Sequence, residues 1–363
     1  MKKGRTIVRI LGGLGLLLAA GLIVLSCEGP EGPQGPAGVA GTNGTNGTNG
    51  TDGEDANETC IVCHNDEVVL LAKQQQAMSS HHLMGGNYER NSASCASCHT
   101  HQGFIEMQET GAVAGNITDP APINCRTCHM IHMNYDESDW SLITTSAVDL
   151  AFGGQTVDLG GESNLCVNCH QFRDVAPLPV LDGEDVSITS SRWGPHHGPH
   201  GNNVWGVGGY LVAGSMDYPD EGEGKHSSVG CTTCHMAPVP YGGRASGGHS
   251  FNMTYEYHGS IEENIGACTT CHTSAETFDI GGVQTEVATL LAQLQDLLIT
   301  GGYLNEETGL WNASSTTPIV ASPDVAGAML NYLIVAEDRS LGVHNPDYMV
   351  ALLTNSIEAI TPE

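Results

Sequence analysis

Aromatic residues make up only 5% of this 363-residue chain and charged residues only 15%. With five Phe and four Trp, it has few of the large side chains that normally fill a core of this size. An interior built without them needs some other filling. Basic residues are scarcer still. Lys and Arg number 12 against 41 Asp and Glu, giving a formal charge of -29. That balance argues against nucleic acid as a partner. It favours steered attraction of a basic protein surface, weakening as salt rises.

What is present in excess is glycine, with 47 residues, and cysteine, with 13. Twelve cysteines fall into six pairs with two residues between them, and each pair is followed at once by histidine. The six are Cys60-Ile-Val-Cys63-His64, Cys95-Ala-Ser-Cys98-His99, Cys125-Arg-Thr-Cys128-His129, Cys166-Val-Asn-Cys169-His170, Cys231-Thr-Thr-Cys234-His235 and Cys268-Thr-Thr-Cys271-His272. Disulfides would not need a histidine after every second cysteine. Zinc ribbons would pair such motifs at a regular separation, and these have no common period. Two thiols three positions apart reach the two vinyl carbons of one haem and form thioethers, and the next residue brings its imidazole to the iron. The motifs therefore predict six covalently bound c-type haems, with His64, His99, His129, His170, His235 and His272 as proximal ligands. Six porphyrins also supply the interior filling that the aromatics do not.

The second axial ligand decides whether an iron is closed for electron transfer or open to a substrate. The chain has 17 histidines. Besides the six proximal ones these are His81, His82, His101, His132, His196, His197, His200, His226, His249, His258 and His344. From position in the chain, His82, His132 and His197 are the expected distal ligands of three haems. His81 is the rival of His82, and His196 and His200 are live alternatives to His197. His101 and His258 are read as spare. Met84, Met107, Met130, Met133, Met236 and Met253 are expected to pack against porphyrin faces rather than to ligate.

Three segments resemble the C-terminal part of pentahaem ammonia-forming cytochrome c nitrite reductases and related multihaem cytochromes. They are His226-Ser-Ser-Val-Gly before Cys231-Thr-Thr-Cys234-His235-Met236-Ala-Pro238, then His249 after a Gly-rich stretch, then Asp338-Arg-Ser-Leu-Gly-Val-His344-Asn345-Pro346. The resemblance implies that His226, His249 and His344 are distal ligands. Those reductases carry a CxxCK site that leaves one iron face to nitrite. None of the six motifs here ends in Lys, so the resemblance does not carry that activity over.

The N-terminus reads as an export signal. Lys2, Lys3, Arg5 and Arg9 precede an apolar run from Ile10 to Leu25, then Ser26 and the unpaired Cys27. The alternative is a membrane-anchor helix, for which the run is short. A lone cysteine directly after such a run resembles a bacterial lipoprotein signal, in which that residue is lipidated. Residues 1–26 are then signal peptide. From Gly29 to Asp55 the chain repeats Gly-x-y nine times, a collagen-like pattern. Proline occupies only the first three triplets, so residues 27–55 read as a flexible tether more than as a triple helix.

Residues 56–280 form the expected hexahaem-binding region, rich in Gly, Asn, Ser, Thr and Pro and so in loops and short helices. Residues 281–363 carry helical periodicity at 287–299, 325–337 and 347–360 and are expected to pack on the haem core. The fold class expected is mostly α with extensive loops, a multihaem cytochrome c fold organised around a chain of covalent haems.

The function these features predict is extracytoplasmic electron transfer by bis-His haems. The partners are other redox proteins as donor and acceptor, and the membrane through a lipid anchor, on the periplasmic side or the cell surface. The alternatives are a multihaem oxidoreductase acting on a small nitrogen or sulfur compound at one open haem, and a cytochrome filament subunit.

Overall fold

The computed structural model describes residue 64 and residues 68–239 and 243–362. The expected signal peptide, Cys27, the Gly-x-y tether and the first thiol pair, Cys60 and Cys63, lie outside the described residues.

The chain is mostly helical, with long loops and a few short strands. Helices α1 (Val68–Ala77), α2 (His81–Met84), α3 (Ala93–His99), α4 (His101–Thr110), α5 (Cys125–Cys128), α6 (Glu162–Val167), α7 (His200–Trp205) and α8 (Cys231–His235) are short. Three long helices close the chain: α9 (Val283–Thr300), α10 (Pro323–Asp338) and α11 (Pro346–Ile360). Among the described residues the strands form only two-stranded antiparallel sheets, β1 (Val148–Asp149) with β2 (Thr156–Val157), β3 (Val186–Ile188) with β6 (Ile319–Ala321), and β4 (Thr254–Tyr257) with β5 (Ser260–Glu263). No helix among the described residues is long and apolar enough to cross a membrane.

The long helices start where local chemistry says they should. Ser322 and Asn345 cap α10 and α11, each followed by a proline in the first turn, where a missing N–H costs nothing. Their apolar faces meet in the main core. Val287, Leu294, Leu298, Met329, Leu330, Ile334, Met349, Leu352 and Leu353 are fully or almost fully buried there. So are Phe172, Ile188 and Trp193, which come from the middle of the chain. Strand β3 pairs with β6 in register Val186 to Ala321. One core and one sheet therefore include residues on both sides of position 280.

Elsewhere apolar burial is sparse. Among the described residues, only Ala96 and Phe104 are buried apolar side chains between 70 and 147, and only Ala237 between 213 and 286. A small second cluster of Val148, Leu150, Val157, Leu159, Val167 and Val207 packs with Val204, Trp205 and Cys231.

The loop between α7 and α8 is fastened to the terminal helices by buried amides. Asn331 accepts the Tyr210 N–H at 2.8 Å and returns its own N–H to the Tyr210 carbonyl at 2.8 Å. Asn355 does the same at Met216, at 3.0 and 2.9 Å. The Tyr348 hydroxyl accepts the Gly209 N–H at 2.8 Å. The Tyr210 ring lies so close to α10 that a Cβ on Gly327 would fall 2.0 Å from it. These bonds fix the loop without a sheet edge.

Replacing Asn331 with Ala leaves the buried Tyr210 N–H unpaired, while the Tyr210 carbonyl keeps the Val212 N–H at 3.1 Å, which costs about 1–3 kcal/mol. Denaturant unfolding should show a lower midpoint with an unchanged slope. A midpoint equal to the parent would mean that the loop is held by other contacts.

Candidate functional site

Cysteines at positions i and i+3 fall on one face of a helical turn, so one turn aims both thiols the same way. The described motifs use this. Cys95, Cys98 and His99 lie in α3, Cys125 and Cys128 bound α5, and Cys231 to His235 form α8. Cys166 lies near the end of α6, and Cys268 opens a 3-10 turn. The α5 turn is held by a capping box between Asn124 and Thr127.

The ten described thiols carry no disulfide. All of them line one cavity of about 3760 Å³, as does every histidine of the chain except His101 and His258. A pocket for one small ligand is usually about 300–1,000 Å³, so this space suits several such groups. Separate motifs approach one another. Cys98 Sγ donates to the Asn168 carbonyl at 3.8 Å, Cys169 Sγ to the Ser97 carbonyl at 3.9 Å, and the Cys231 N–H to Ser163 Oγ at 3.0 Å.

The imidazoles meet in facing pairs, and each motif histidine has a counterpart from elsewhere in the chain. Ring centres are 6.1 Å apart for His64 and His132, 6.1 Å for His99 and His196, and 6.1 Å for His129 and His249. They are 5.9 Å apart for His170 and His82, 6.3 Å for His235 and His344, and 6.4 Å for His272 and His226. Two metal–imidazole bonds of about 2 Å, plus a ring radius of about 1.1 Å at either end, separate ring centres by about 6.2 Å. All six spacings therefore fit a metal held between two rings. A tetrahedral zinc site would instead gather three or four ligands at one point, and among the described residues no such cluster occurs. Paired thiols beside paired imidazoles are the donor set of a thioether-bound haem with two axial histidines.

Several rings have one nitrogen already engaged. His129 Nδ1 meets the Trp140 carbonyl at 2.7 Å, His235 Nδ1 the Phe251 carbonyl at 3.0 Å, and His226 Nδ1 the Val343 carbonyl at 2.6 Å. A carbonyl only accepts, so these Nδ1 atoms carry the hydrogen and Nε2 keeps its lone pair. His344 Nδ1 donates to the Asp338 carboxylate at 2.8 Å. Burial pushes the Asp338 carboxyl up, but His344 and the Ser340 hydroxyl outweigh it and hold it down to about 2. Burial works against a charge on His344 as well, and Asp338 overcomes it, raising that imidazole above its ordinary range. Burial pushes His82, His170, His235 and His249 down, and with help from Arg173 pushes His196 down to about 4. Neutral imidazole is the ligating form. The buried Nδ1 of His249 has no hydrogen-bond partner.

Two of the pairs rest on strained backbone. His132 and His196 have φ of +66° and +74°, in the left-handed region that non-glycine residues rarely adopt. At His132 the cause is Asp139. Its carboxylate accepts the N–H groups of His132 at 2.7 Å, Asn134 at 2.8 Å and Tyr135 at 3.2 Å, winding the loop tightly. Partial desolvation opposes the charge, and these N–H groups hold Asp139 below the usual carboxylate range.

The expected residues His82, His132, His226, His249 and His344 each face a motif histidine. His197 does not. The left-handed turn at His196 sends His196 toward His99, while His197 is largely exposed and bonds Glu337 through Nδ1 at 2.6 Å. His82 rather than its rival His81 faces His170. His101 bonds Thr127 Oγ1 at 2.9 Å, and His258 lies against Tyr257, both away from the cavity. The sequence reading missed Asp338 and Asp139. It also missed Phe251, whose ring touches those of His82 and His249 and whose carbonyl holds His235.

No family model matches this chain, and no curated protein does. Among solved structures, the crystal structure of the outer cell wall cytochrome OcwA aligns at 18% identity with a TM-score of 0.48. The alignment covers 80% of this chain and 50% of that one, so the chain spans about half the length of that structure.

Changing Asp139 to Ala should release the amides of His132, Asn134 and Tyr135. Native-state hydrogen exchange at these three should accelerate at least tenfold while the amides of α9 to α11 keep their rates. Unchanged exchange would show that Asp139 does not shape the loop.

Proposed function

We propose that this chain is an exported hexahaem c-type cytochrome that carries electrons, with every haem iron held between two histidines. The observation that carries this reading is the meeting of six motif histidines with six others at one common spacing. Haem supplies reversible one-electron ferric–ferrous chemistry when bound.

The chain's own residues supply the rest. The motif cysteines, Cys60 and Cys63 included, form the thioether attachments. His64, His99, His129, His170, His235 and His272 are the proximal ligands. His132, His196, His249, His82, His344 and His226, in that order, take the opposite faces. With both faces taken, no iron offers a place for a substrate, so the carrier reading is preferred to catalysis at an open haem. Hydrogen bonds at Nδ1 aim the rings and raise their basicity as ligands. The bonds of Cys98 to the Asn168 carbonyl, of Cys169 to the Ser97 carbonyl and of Cys231 to Ser163 support a run of neighbouring sites through the second, fourth and fifth motifs. Phe251, touching members of three pairs, supports close packing of the third, fourth and fifth sites.

The charge of -29 favours redox partners with basic docking faces. A lipid on Cys27 and a Gly-x-y tether over residues 27–55 would hold the haem-binding part near a membrane surface outside the cytoplasm.

Mass spectrometry of the intact exported protein should count six haems per chain. In H196F one haem in six should turn high-spin, because His99 loses its counterpart. H197F should leave all six low-spin. The reverse result would exchange the two roles. Fewer than six haems in the unaltered protein would overturn the hexahaem reading.

A further inference from the structure

His200 is the third histidine of the Pro195–His200 cluster and belongs to none of the six facing pairs. It opens α7 and lies between two pairs. Its Nδ1 is 2.9 Å from the Nδ1 of His170, and its ring packs edge-on against His344 at 5.3 Å between centres. The loop that carries it is folded onto the His170 main chain. The Gly201 N–H donates to the His170 carbonyl at 2.8 Å. Gly198 between them takes φ +86°, in the left-handed region that side-chain-bearing residues rarely adopt. A larger residue at 198 would strain this turn, so the placement of His200 against His170 is built into the loop.

Only one nitrogen in an N–H···N hydrogen bond carries the proton. In the hexahaem reading, on which this inference rests, His170 ligates iron through Nε2 and so has its hydrogen on Nδ1. His200 must then present a bare Nδ1 and carry its own hydrogen on Nε2. The other engaged motif rings, His129 and His235, donate to main-chain carbonyls. An imidazole nitrogen is a more basic acceptor than an amide carbonyl. It draws the His170 proton more strongly and makes that ring a better donor to iron.

We propose that His200 is a positioning residue for the fourth haem site, accepting the His170 Nδ1 hydrogen and thereby lowering that site's reduction potential relative to the carbonyl-bonded sites. A more basic ligand stabilises ferric over ferrous iron, so removing the acceptor raises the potential.

The test uses the full-length haem-loaded protein and its variants H200L and H200Q. In H200L, one of six one-electron waves in a redox titration should move to higher potential. One low-spin EPR signal should change its g values, with the other five unmoved. The Gln carbonyl oxygen still accepts a hydrogen bond, so H200Q should bring that wave part of the way back. Six unmoved waves in a fully loaded H200L would overturn the proposal. If H200L fails to load six haems, the unaltered protein decides. In its reduced, diamagnetic form, 15N NMR should detect a through-hydrogen-bond coupling between the Nδ1 atoms of His170 and His200, and its absence would overturn the proposal. Failure of the underlying reading looks different, since the unaltered protein would then hold fewer than six haems or show a high-spin signal before any variant is made.

Discussion

The constraint on which this structure depends is the division of its interior between two kinds of filling. The last 80 or so residues and parts of the middle bury aliphatic side chains in the ordinary way. The stretches 70–147 and 213–286, which carry most of the described thiols, bury almost none among the described residues, and their inner surface is a cavity lined with cysteine and histidine. Folding must offset a loss of chain entropy of roughly 1–2 kcal/mol per residue. A segment such as 70–147, with two buried apolar side chains, cannot do that by side-chain packing alone. Groups held covalently in the cavity would provide the missing apolar surface. They would also shorten the free loops of the unfolded chain, since each attachment joins two cysteines to one body.

The aliphatic half is the frame that aims part of this lining. His344 lies in the bend between α10 and α11, and the last residue of α10, Asp338, takes its Nδ1 hydrogen inside the protein. The Val343 carbonyl in the same bend takes the hydrogen of His226. The loop that follows His196 and His200 is bonded to the same helices through Asn331, Asn355 and Tyr348. A scaffold of three helices thus positions rings that are more than a hundred residues apart in sequence. Where the frame does not reach, local turns take over, as with Asp139 and the strained His132.

How much of this can be read in the sequence follows from how local each determinant is. A Cys-x-x-Cys-His motif is complete within five residues, and one helical turn aims both thiols, so these sites are visible without a fold. The terminal helices are visible because a period of three to four survives in Leu290, Leu294 and Leu298, and because Ser322-Pro323 and Asn345-Pro346 mark helix starts. The facing rings are a tertiary matter. His196 and His197 are neighbours of the same type, and a single positive φ decides which one faces His99. The partner of each ring, the amide fastening of the loop and the use of Phe251 by three pairs depend on contacts across the chain that leave no local pattern. The pairing of β3 with β6, which joins residues on either side of 280, is equally invisible locally.

The most direct test of the central claim is EPR spectroscopy of the fully oxidised, unaltered protein, with its haem quantified. Six haems whose signals are all low-spin would match six irons, each closed by the paired histidines on both faces. A high-spin signal integrating to one haem in six would contradict that closure at one site and open that site to substrate chemistry.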